Sequence, residues 1–69
     1  MKDKQLVIYG NFMFLLDRYI YESDEMFYFR INYIYNNIKN YKQNNIDELI
    51  GLSKLESQKY FNNCLYLTN

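Results

Sequence analysis

The sequence predicts an all-α protein, a small bundle of three or four helices in one domain. Three observations predict it. Phe27, Ile31, Ile34, Ile38 and Tyr41 recur at helical spacing and make one amphipathic stripe. Ser23 stands where a cap would open that helix, with Asp24 and Glu25 in the first turn, where the helix dipole favours negative charge. Asn45 with Glu48, and Ser53 with Glu56, have the spacing of two capping boxes, so two more helices should follow.

The first segment, roughly 5–21, admits two readings. Leu6, Tyr9, Met13, Leu16 and Ile20 form one helical stripe, and Ile8, Phe12, Leu15 and Tyr19 a second. A helix apolar on so many sides would be central or would sit in an interface. Alternatively, Leu6-Val7-Ile8-Tyr9 is strand-like and Gly10-Asn11 is a two-residue turn signal before Phe12-Met13-Phe14. Helix is the leading reading and a β-hairpin the rival. The second segment should stay helical through its last turn at Lys39 and Lys42, with Asn36, Asn37 and Asn40 on a wet face.

The third segment reads as a helical pair. A short helix, Ile46 to Ile50, would end at Gly51 in a left-handed conformation. Ser53 would then cap a longer helix running toward Leu65, with Tyr60, Phe61 and Cys64 on its apolar face. Ser57 falls on that face too, small enough to let another backbone come close. The expected core is Phe27, Ile31, Ile34, Ile38, Leu49, Ile50, Leu55, Phe61 and Leu65. Ser23, Asn45, Gly51 and Ser53 set the expected boundaries.

Residues 46–65 resemble a helix-turn-helix module, in which a short helix and a turn precede a longer recognition helix. With Gly51-Leu52-Ser53 as the turn, glycine and cap are right, but Asp47 and Ser57 occupy packing positions. With Lys54-Leu55-Glu56 as the turn, Ile46, Leu49, Ile50, Leu55, Tyr60 and Cys64 take the apolar positions, and the turn loses its glycine. The resemblance implies a DNA-binding regulator. Lys54, Gln58, Lys59, Asn62 and Asn63 would then contact phosphates or base edges. Eight basic residues balance eight acidic ones, so the chain lacks the basic excess typical of DNA binders.

Composition excludes more than it names. A chain of 69 residues buries only about 60% of its unfolded surface, so oligomerisation or a partner would help it. One cysteine, Cys64, allows no internal disulfide, and with no histidine there is no common ligand set for zinc or iron–sulfur. Cys64, on an apolar face at a helix end, reads as a small buried hydrophobe. No histidine base, no carboxylate dyad and no glycine-rich phosphate loop can be found, so an enzyme is not expected and no cofactor is implied. Leu6 to Leu16 is too short to span a bilayer and has no cleavage site after it, so a soluble cytoplasmic protein without membrane contact is expected.

Nine tyrosines remain to be explained. Tyr28, Tyr33 and Tyr35 lie off the main stripe, beside Arg30. Tyrosine gives large contact area at low entropy cost and is enriched at interfaces. Tyr28, Arg30, Tyr33 and Tyr35 are therefore the expected protein-contact residues. The abundance of Lys, Asn, Ile and Tyr also suits an AT-rich genome, and hence a low-GC bacterium or a phage or plasmid within one. The leading expectation is a small non-enzymatic regulator or inhibitor of phage or mobile-element type, in the manner of an anti-defence protein, that blocks a host protein. The alternative is the helix-turn-helix DNA binder. A homodimer is compatible with either.

Overall fold

The computed structural model describes residues 3–68, and the side chains of residues 3–62. It is an α+β fold. Strands β1 (Lys4–Tyr9) and β2 (Phe12–Asp17) form an antiparallel hairpin, followed by helix α1 (Asp24–Asn37). Two short 3-10 turns, Ile38–Asn40 and Gln43–Asn45, lead into the long helix α2 (Ile46–Thr68). The all-α expectation is thus overturned at the first segment, where the rival hairpin reading holds.

Burial shows why the strand period wins. Val7 is 0% and Leu16 2% exposed, while their neighbours Leu6 and Leu15 are 44% and 58% exposed. Alternation of that kind belongs to a pleat with one covered face. Six residue pairs align, from Lys4↔Asp17 to Tyr9↔Phe12. Gly10 turns the chain at φ +56°, and no other described residue has positive φ, the pattern of a type II′ turn with glycine first. A helix through 5–21 would have put Gly10 in its interior, where it costs about 1 kcal/mol.

Helix α1 starts where the cap predicts: Ser23 Oγ accepts the Met26 N–H at 3.2 Å. It ends earlier than the apolar stripe. Asn37 Nδ2 donates to the Tyr33 carbonyl at 2.8 Å, and the backbone then tightens into the Ile38–Asn40 turn. Lys39 and Lys42 consequently lie beyond the helix rather than in its last turn. Tyr41, now in extended backbone, still packs half-buried against the core.

The predicted helical pair is one continuous helix, so the helix-turn-helix geometry is absent. Gly51 is exposed inside α2 and has no left-handed φ. Ser53 opens nothing; its hydroxyl donates back to the Ile50 carbonyl at 2.6 Å. Both local stop-and-start signals yield to packing. Ile46, Leu49, Ser53 and Ser57 are all buried and follow each other at helical spacing, a stripe that survives only if the helix is unbroken. Its two serines are small enough for α1 and α2 to approach closely. Because nothing lies within 4 Å of a Cβ built on Gly51, Gly51→Ala should stabilise the protein by about 0.5–1 kcal/mol. Urea melts would check this, since a glycine holding a left-handed turn would respond with a loss instead.

The core joins the hairpin to both helices: Val7, Leu16, Phe27, Ile34, Ile38, Ile46 and Leu49. Of the expected core, Phe27, Ile34, Ile38 and Leu49 are buried, and Ile31 and Ile50 pack half-buried at its margin. Phe61 is also half-buried. Leu55 is 53% exposed, on the side of α2 turned away from its buried stripe. Leu65, Cys64 and Tyr66 lie outside the residues whose side chains are described.

Candidate protein-binding surface

Helices α1 and α2 cross so that the first turns of α1 meet the region of α2 around Tyr60. Phe29 stacks on Tyr60 with ring centroids 5.0 Å apart and meets Phe61 edge-on at 6.0 Å. Tyr60 and Phe61 pack edge-to-face at 5.1 Å. Such offset and edge contacts hold aromatic rings in fixed attitudes, contributing about 0.5–1.5 kcal/mol per pair beyond area burial. Together with Glu25, Tyr28 and Asn32 these rings line an open cleft of about 410 Å³. The cleft is on the side of α1 turned away from Phe27, Ile34 and Ile38. Tyr28 and Tyr60 remain 56% and 51% exposed, so their rings present apolar faces to solvent. Glu25 gives the rim one carboxylate.

The four expected contact residues do not share a surface. Tyr28 lines the cleft. Tyr33 lies behind it, stacked on Phe29 at 6.5 Å; burial, with Glu56 and Tyr41 adding to it, raises its hydroxyl above the ordinary tyrosine pKa. Tyr35 points to the hairpin instead, where its hydroxyl accepts the Ile8 N–H at 3.4 Å. Arg30 is 1% exposed and belongs to the core. Its Nη1 donates to Glu22 Oε1 and Oε2 at 2.9 and 3.1 Å and to the Asp17 carbonyl at 3.1 Å. Its guanidinium also lies 4.7 Å from the Tyr19 ring centroid. This group ties β2, the connection after it and α1 together, with its guanidinium directed into the fold.

Phe29, Tyr60 and Phe61 are cleft residues that sequence reasoning did not single out for binding. Phe29 lay off the stripe beside Tyr28, which was the available signal. Spacing puts Tyr60 and Phe61 on the apolar face of the last predicted helix, and only the antiparallel crossing of the helices brings them to Phe29.

The expected DNA-contact residues are dispersed in role. Lys54 Nζ lies 4.6 Å from the Tyr19 ring centroid, and Lys59 Nζ lies 3.7 Å from Glu56 Oε1. Gln58 is half-buried and Asn62 exposed; the side chain of Asn63 is outside the described residues. With no turn before them, they do not sit on a separate recognition helix. A smaller cleft of about 280 Å³ is lined by Asp3, Arg18, Tyr19 and Ile20. There the Arg18 cation already pairs with Asp24 at 2.6 Å and Asp3 at 3.4 Å. Among the described residues no cluster of His, Cys, Asp and Glu could hold a metal ion, and no helix is long and apolar enough to cross a membrane. Comparison with protein-family models, curated proteins and solved structures finds no match for the chain.

Proposed function

We propose that this chain is a non-enzymatic binding protein that docks a protein partner in the α1–α2 aromatic cleft and acts by occupying that partner's surface. The observation that supports it is the cleft in which exposed Tyr60, packed on half-buried Phe29 and Phe61, lies beside exposed Tyr28. Buried aromatic anchors supply most of the affinity in protein interfaces, and tyrosine is enriched among them. The Glu25 rim suits a partner segment that pairs an apolar side chain with a lysine or arginine. Composition suits a phage or mobile-element inhibitor acting in the cytoplasm of a low-GC host, and that is the setting in which a partner should be sought.

The test is quantitative binding to the partner recovered by cross-linking from such a host. Tyr28→Ala and Tyr60→Ala should each weaken the purified complex by about tenfold or more, the range of interface anchors. Leu55→Ala, away from the cleft, should leave affinity unchanged. Equal affinity for all four proteins, measured by calorimetry, would place the contact elsewhere.

A further inference from the structure

The hairpin carries a second surface, independent of the cleft. Its outer face holds Leu6 and Ile8 from β1 and Met13 and Leu15 from β2, exposed at 44%, 55%, 69% and 58%. Leu6 is registered with Leu15 and Ile8 with Met13, so the four side chains form one contiguous patch. A patch of this kind, on the order of 400 Å², is at the upper end of what a small monomer leaves in water. At the end away from the turn, the same face carries Lys4 opposite Asp17.

We propose that two copies of this chain associate by stacking these outer faces, with the two-fold axis running along the strands. The pattern of side chains selects that axis. It sets Leu6 of each copy over Leu15 of the other, Ile8 over Met13, and Lys4 over Asp17. An axis across the strands would instead lay Lys4 and Asp17 over the apolar turn end of the other copy. Charge and apolarity are thus both self-complementary in one arrangement, as a two-fold interface requires. Stacked sheets pack about 10 Å apart, which lets the opposing apolar side chains interdigitate.

Pairing through strand edges is the competing geometry, and both edges are partly occupied. The Ile8 N–H of β1 is taken by Tyr35, and the Asp17 carbonyl of β2 by Arg30. Covered edges of this kind disfavour strand addition. Two stacked patches of about 400 Å² would bury about 800 Å² in total, short of the about 1,000 Å² of a stable specific interface. The dimer is therefore concentration-dependent. It leaves both aromatic clefts free, since each is on the side of α1 away from its core-facing stripe.

Sedimentation equilibrium between about 10 µM and 1 mM tests this, a span matched to weak association. The expected result is a reversible monomer–dimer equilibrium within that span. Leu15→Lys should raise the dissociation constant at least tenfold, with circular dichroism unchanged because Leu15 is exposed. Met13→Gln gives the same check by a neutral change. Lys4→Asp should weaken the dimer by opposing two carboxylates, and adding Asp17→Lys should restore it. A protein that is monomeric throughout overturns the proposal. So does a dimer indifferent to Leu15→Lys and to Lys4→Asp alone, which would point to edge pairing. Open-ended oligomers overturn it as well.

Discussion

Arg30→Met is expected to leave the chain without a cooperative unfolding transition at room temperature. The substitution preserves much of the side chain's volume, so the effect is electrostatic rather than a cavity. Glu22 has a side chain 3% exposed, and Arg30 supplies the cation that makes its burial tolerable. Without it, the carboxylate retains, among the described residues, only the Tyr19 N–H, 3.0 Å from Oε1. Removing one partner of a buried pair costs about 3–5 kcal/mol, because the remaining charge stays desolvated. At about 0.05–0.15 kcal/mol per residue, a chain of this size has roughly 3–10 kcal/mol in all. The loss is therefore comparable to the whole stability.

The pair need not be net stabilising when intact. Desolvation of both ions offsets their attraction, and Arg30 Nε has no hydrogen-bond partner among the described residues. Arg30→Met combined with Glu22→Leu should therefore recover most of the lost stability, measured by guanidinium melts followed by circular dichroism. A single variant within about 1 kcal/mol of the parent would show that Glu22 does not depend on the arginine. The pair's contribution is positional. Through the Asp17 carbonyl and the Tyr19 N–H it fixes the strand-to-helix connection to one site on α1.

Neither member of this pair was legible in the sequence as a core residue. Arg30 sat among tyrosines off the stripe, where a cation is ordinarily solvated, and its partner belongs to a connection whose path no local pattern records. What was legible was local and repeated. The Ser23 cap and the Phe27 and Ile34 stripe need only neighbours along one helix and are found as expected, while Ile38 is buried from the 3-10 turn that follows that helix. The first segment misled because its outer face is also apolar. When Leu6, Ile8, Met13 and Leu15 resemble the inward Val7, Phe14 and Leu16, the strand alternation disappears and a helix fits equally well. Only Gly10-Asn11 remained to mark the turn. The third segment misled in the opposite way: Gly51 and Ser53 are real local signals, overridden by a packing stripe that contains two serines and so did not read as apolar. For the candidate site, Tyr28 was recognisable by its place off the stripe. Phe29, Tyr60 and Phe61 become a surface only through the crossing of two helices.

Ile34→Asp tests the part of the structure that all segments share. Ile34 is 0% exposed in α1 and belongs to one cluster with Val7 and Leu16 of the hairpin and Leu49 of α2. Truncating such a side chain costs about 2–5 kcal/mol in transfer and cavity terms. The carboxylate adds the cost of an uncompensated buried polar or charged group, several kcal/mol more. The sum exceeds about 5 kcal/mol, so helical circular dichroism should be lost at room temperature, whereas Ile34→Val should cost only about 1 kcal/mol. An Ile34→Asp spectrum identical to the parent's would refute the core assignment. The two failures should also be separable. Glu22→Leu rescues Arg30→Met because it removes the stranded charge, but it does nothing for Ile34→Asp, whose charge has no designated partner. Two double-mutant cycles, Glu22 with Arg30 and Glu22 with Ile34, therefore distinguish a specific ion pair from general burial, which stability loss alone does not.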